Sequence, residues 1–187
     1  MPQRRPRRLS AVAFVLLVPA LVSCGFDYAT ERVNTIGAGV TNRDASVDVV
    51  SAMIVAERPG SGTFIASLSN NSDDEPATFT ALGPGTGSLA TAADFEPVTI
   101  PARGAVNLSK EGGPRISGDF TAGEFVSVVV SFDTGERVPM KVPVVTACGP
   151  YEGLDNAPAA EPPEDELEAD LEAYACEPDV EGETGSE

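Results

Sequence analysis

The 187-residue chain has no histidine and no tryptophan, three methionines, three cysteines, and only 12 lysines and arginines against 29 aspartates and glutamates. Each scarcity removes a class of function. Without histidine there is no Ser-His-Asp or Cys-His nucleophile machinery, no His-ligated zinc and no imidazole pH switch. A formal charge of −17 disfavours charge-driven binding to nucleic acid or to anionic lipid. An enzyme is the least favoured class: no glycine-rich phosphate loop or activated nucleophile is present, and this many acids form pairs by chance. The length suits one domain of ordinary size.

What is present begins with an export address. Arg4, Arg5, Arg7 and Arg8 form a basic opening, and the apolar run Leu9 to Leu21 is shorter than the ~20 residues a spanning helix needs. It ends in Leu21-Val22-Ser23-Cys24-Gly25, which resembles a bacterial lipobox. Residues 1–23 are then a lipoprotein signal peptide, and the Cys24 thiol receives a diacylglyceryl group. The alternatives are an uncleaved anchor helix and an ordinary secretory signal. Lipid on Cys24 would hold the protein on the extracytoplasmic side of the cell membrane, each buried CH₂ contributing ~0.8 kcal/mol. Cleavage before Cys24 leaves 8 basic residues against 29 acids, a charge of −21, so the domain should stand off the membrane. Residues 24–45, with Gly37, Gly39 and scattered Thr and Asn, read as the tether.

Residues 46–150 alternate short β-branched runs with Gly, Pro, Asn and Asp clusters, the pattern of an all-β sandwich, and carry no helix-period segment. Val126, Val128, Val130 and Phe132 share one parity, as do Val138, Met140, Val142 and Val144, and Asp133-Thr134-Gly135-Glu136 supplies the hairpin turn between them. Pro139 and Pro143 both remove donors from one edge of the second strand, which places that strand at a sheet border. Further strands are expected over 47–56, 63–69, 77–82, 98–101, 105–108 and 115–117, about seven or eight in all. The expected core comprises Val49 or Val50, Met53, Phe64, Ala66, Leu68, Phe79, Leu82, Ile100, Leu108, the Val126–Phe132 parity set, Met140 and Val142.

Composition changes after Pro150. Residues 152–187 hold 14 acids and no base, so most of the excess negative charge lies in an acidic tail, 151–187. Pro158, Pro162 and Pro163 indicate an extended linker, and Leu167, Leu171 and Tyr174 or Ala175 have helical spacing over 164–175. With Cys24 assigned to lipid, Cys148 and Cys176 are natural disulfide partners in an oxidising compartment, worth roughly 3 kcal/mol and holding the tail to the domain. The alternative is a pair of free thiols holding copper(I).

Four segments carry a family resemblance: Arg43-Asp44-Ala45-Ser46-Val47-Asp48, the run Gly62 to Asn71, the run Val98 to Leu108 with its Ile100-Pro101-Ala102-Arg103-Gly104 turn, and Ala122 to Val126 continuing through Val142-Pro143-Val144. Their order over 43–146 resembles actinobacterial secreted lipoproteins distantly related to the PCuAC copper chaperones. The resemblance implies an immunoglobulin-like or cupredoxin-like β-sandwich in an extracytoplasmic setting. Family members hold copper(I) with a His-x-Met pair after that turn, whereas Gly112 to Gly118 here contains neither residue. Met53 and Met140, on core parity, read as packing residues.

The expected function is therefore a membrane-anchored, non-enzymatic binding or interaction module with an unknown protein or small-molecule partner, no nucleic acid and no assigned cofactor or metal. The alternative is copper(I) handling through a non-standard site using Cys148, Cys176 or a methionine. A third reading, a hard cation at Asn70-Asn71-Ser72-Asp73-Asp74-Glu75, lacks the spacing of a Ca²⁺ loop.

Overall fold

Valine-rich alternation and turn punctuation produce an almost entirely β structure in the computed structural model, which describes residues 37–88, 90–93, 95–157 and 174–176. The strands are β1 (Val40–Asn42), β2 (Val47–Arg58), β3 (Ser61–Asn70), β4 (Ala77–Pro84), β5 (Thr91–Ala92), β6 (Val98–Ile100), β7 (Ala105–Asn107), β8 (Arg115–Ser117), β9 (Phe125–Phe132) and β10 (Arg137–Thr146). A single-turn helix, α1 (Leu108–Glu111), follows β7. The expected signal peptide, Cys24 and most of the expected 164–175 helix lie outside the described residues.

One sheet runs β5-β8-β3-β2-β10 and the other β10-β9-β4-β6, with β1 on β2 and β7 on β3. All pairings are antiparallel except β2 with β10, where Val144, Val145 and Thr146 lie beside Ile54, Val55 and Ala56. β10 thus belongs to both sheets. Its residues 137–143 pair with β9, and its last three with β2. The border position expected for the whole strand holds only for the proline-bearing stretch, and backbone parity gives the reason. The Val144 N–H donates to Glu124 O at 2.8 Å, so even-numbered residues face β9. Pro139, Lys141 and Pro143 face the other side, where two missing donors prevent a ladder. Once the prolines end, that same edge joins β2, and the Ala147 N–H reaches Ala56 O at 3.1 Å.

The main core is built from both inner faces. It includes Val47, Val49, Ile54, Phe64, Leu68, Phe79, Ile100, Leu108, the inward set Val126, Val128, Val130 and Phe132, and Met140 and Val142. Val49 is the buried member of its pair and Val50 is half-buried. Met53 is buried as expected, but outside the main core. It belongs to a second cluster with Val55 and Ile65, covered by Val145, Ala147, Tyr151 and Leu154. The cause is a bulge in β2: the register slips between Val50 and Met53, and Ser51 sits at φ 54°. An inserted residue reverses the parity beyond it, sending Ala52, Ile54 and Ala56 to the main core and Met53 to the second cluster on the opposite face.

Three further differences concern short elements. The sheet begins inside the expected tether, because Val40–Asn42 pairs with β2. Gly39 permits this approach, since a Cβ there would stand 2.4 Å from the Ser51 carbonyl carbon. The domain also contains a turn of α-helix, started by Asn107, whose Oδ1 accepts the Ser109 N–H at 3.0 Å. Thr91–Ala92 forms a two-residue strand on β8, too short for a periodicity to register.

Candidate functional site

The two sheets are joined along one side by β10. On the opposite side they part between β6, the last strand of one sheet, and β7, which lies on the outer edge of β3. The chain crosses from sheet to sheet through the Pro101–Gly104 turn, closed by the Gly104 N–H to Pro101 O at 2.9 Å. Asn70 fixes this turn from below. Its buried Nδ2 donates to Ile100 O at 3.3 Å and to Glu75 O at 2.9 Å, while its Oδ1 accepts the Ser72 N–H.

Above the turn the seam opens into a groove of about 610 Å³. The segment preceding β6 supplies one wall and β7 with α1 the other. Phe95, Val98 and Val106 are half-buried and pack against the main core, so the floor of the groove continues the protein interior. Phe95 is held by Phe79, with ring centroids 4.7 Å apart. Glu96 lines one wall and Glu111 of α1 the other. Thr78 is opposite Thr99 in the β4–β6 pair, yet both its backbone groups are taken by Asp133: its N–H reaches Oδ1 at 2.8 Å and its C=O accepts the Asp133 N–H at 3.0 Å. The backbone groups of Thr99 therefore point away from β4, towards the groove it lines.

A second constellation ties the C-terminal segment to the domain. Cys148 and Cys176 are joined by a disulfide, with Cα atoms 5.4 Å apart. Beside it the Tyr174 ring is buried in the main core. Ahead of the undescribed stretch, Asp155 accepts the Glu57 N–H and the hydroxyl of buried Thr63, both at 2.9 Å, and Thr63 Oγ1 in turn accepts the Asn156 N–H at 2.7 Å. Residues 155–156 and 174–176 of the tail are thus parts of the folded domain.

The remaining sequence-derived sites do not converge. Met53 and Met140 occupy different apolar clusters, and the sulfurs of Cys148 and Cys176 are bonded to each other. In the Gly112–Gly118 stretch, Ile116 is buried in the core while Arg115 and Ser117 face outward. Among the described residues no three His, Cys, Asp or Glu side chains come together as a metal-binding group, and in the Asn70–Glu75 loop Asp73 is ion-paired with Arg103. These donors do not fit a copper(I) or a hard-cation site. The groove was not anticipated, because it is made by two short strands separating and no residue pattern encodes that.

No protein-family model matches the chain, and no curated protein matches it. Among solved structures it is similar to the apo PCuAC domain from PmoF1, at 17% identity and a TM-score of 0.46, over 56% of this chain and 98% of that one. It is similar also to the copper-bound PCuAC domain from PmoF2, at 11% identity and a TM-score of 0.45, over 57% and 97% of the two chains. The apo form of the PmoF2 domain matches at 12% identity and a TM-score of 0.44, over 57% and 94%.

Proposed function

We propose that this protein is an extracytoplasmic lipoprotein, anchored through Cys24, whose β-sandwich is a non-enzymatic binding module. The seam groove carries the binding role: it is a concave surface whose floor of Phe95, Val98 and Val106 is apolar and whose margins are polar, and its volume falls in the ~300–1,000 Å³ span of small-ligand sites. The compartment is supported by the Cys148–Cys176 disulfide, a bond that persists in oxidising surroundings, together with the basic and apolar stretches preceding Cys24. Copper(I) handling is the weaker reading, since the thiolates it would need are bonded to each other and the two methionines lie apart.

Cell fractionation tests the anchor. Wild-type protein should partition with membranes and Cys24→Ala with the soluble fraction. Retention of the variant in membranes would refute lipid anchoring. A copper(I) titration against a chromophoric competitor, on protein with its disulfide intact, should show no tight one-to-one binding.

A further inference from the structure

The groove combines an apolar floor with charge of one sign. Glu96 and Glu111 line its two walls, and among the described residues no lysine or arginine lines it. Neither carboxylate has a hydrogen-bond or ion-pair partner among the described residues, in contrast to Asp73, Asp133, Asp155 and Glu136, which are all engaged. A neutral apolar occupant would gain nothing from these two exposed carboxylates. An anion would be repelled. A bare divalent ion requires about six oxygen ligands, and two carboxylates on opposite walls over a hydrocarbon floor cannot supply them.

We infer that the groove binds a small amphipathic organic cation, an ammonium carried on a hydrocarbon or aromatic body. The body rests on Phe95, Val98 and Val106, and the charge lies at the mouth towards Glu96 and Glu111. The outward-turned Thr99 carbonyl is a further acceptor for ammonium N–H groups. This assignment rests on the proposed role of the groove as the binding surface and names the ligand chemistry that surface selects.

The test is an NMR titration of the full-length protein carrying Cys24→Ser, at low ionic strength, following the methyl groups of Val98 and Val106. The probes are 4-phenylbutylamine and the uncharged 4-phenylbutanol. Saturable shifts at both valines are expected, with the amine binding at least about tenfold tighter than the alcohol. The double variant Glu96→Gln/Glu111→Gln should abolish that preference and leave the affinity for the alcohol unchanged. Equal affinities in the wild type would overturn the cation assignment and leave the groove as a binding surface. Amine shifts confined to the acidic residues beyond Tyr151 would overturn it as simple attraction to the tail. If neither probe moves Val98 or Val106, the groove reading falls together with the inference.

Discussion

The Tyr174 hydroxyl accepts a hydrogen bond from the Ala122 amide at 2.7 Å, across 52 residues of sequence. A residue from the far side of the acidic stretch thereby caps the turn that leads into β9, and its ring fills part of the main core. Tyr174→Phe keeps the ring and removes the acceptor, and should cost about 1 kcal/mol. Tyr174→Ala also empties the space and should cost about 3 kcal/mol. Urea unfolding measures both. Equal stability of the alanine variant and the wild type would show that the tail merely rests on the surface.

The disulfide should contribute about 3–4 kcal/mol in the chain-entropy account of a bridge spanning 28 residues. Thermal melts of oxidised wild type and of Cys148→Ser/Cys176→Ser give the comparison. Reductant should lower the wild-type midpoint and leave that of the variant in place.

Gly113 is a point of close approach, where a Cβ would stand 1.8 Å from the Phe64 carbonyl oxygen. The neighbouring Phe64 N–H to Pro114 O bond, at 2.9 Å, depends on this proximity. Gly113→Ala should push the α1–β8 connection off β3 and lose about 1–3 kcal/mol. The same substitution at Gly83, where a Cβ meets nothing within 4 Å, is the control.

Asp133 gives the protein an acid-sensitive latch. The Thr78 backbone N–H, and then its hydroxyl, hold the Asp133 carboxyl below its ordinary value of 3.8. A depressed folded-state value means that the stabilisation is fully present above the ordinary value and is lost as pH falls through the folded one. Stability of the wild type should therefore decline more steeply below about pH 4 than that of Asp133→Asn. Denaturant midpoints taken down to strongly acidic pH compare the two slopes. Parallel curves would count against the latch.

Pro139 and Pro143 protect the unpaired edge of β10. Pro139→Thr/Pro143→Thr restores the two donors, and the variant should associate through that edge in a concentration-dependent manner, as read by light scattering. A strictly monomeric variant would assign the protection to something else.

The sheet elements were legible where burial repeats every second residue. Val126 to Phe132 and Val138 to Val144 face the core as their parity requires, and the Asp133–Glu136 turn joins them. Parity reverses at Ser51, and an L-residue bulge has no compositional marker, so Met53 is buried as expected but in the second cluster. β1 and β5 are too short to show a period and exist only because neighbours offer them an edge. The Cys148–Cys176 pair was legible from compartment and count. The contacts of Asp155 with Thr63 and of Tyr174 with Ala122 were not, because no local pattern marks a partner across such separations. The groove was least legible of all: its floor residues read as ordinary strand positions, and only the divergence of β6 from β7 exposes them.

The sharing of β10 by both sheets has a consequence for how the molecule comes apart. Neither layer can peel away while Val144–Thr146 remains beside Ile54–Ala56, so this three-residue parallel junction couples the two layers into one cooperative unit. Its amides should be among the last to exchange with solvent deuterium, while those bordering the open seam exchange early through local opening. Local opening at the β6–β7 seam should therefore leave intact the side that keeps the molecule folded.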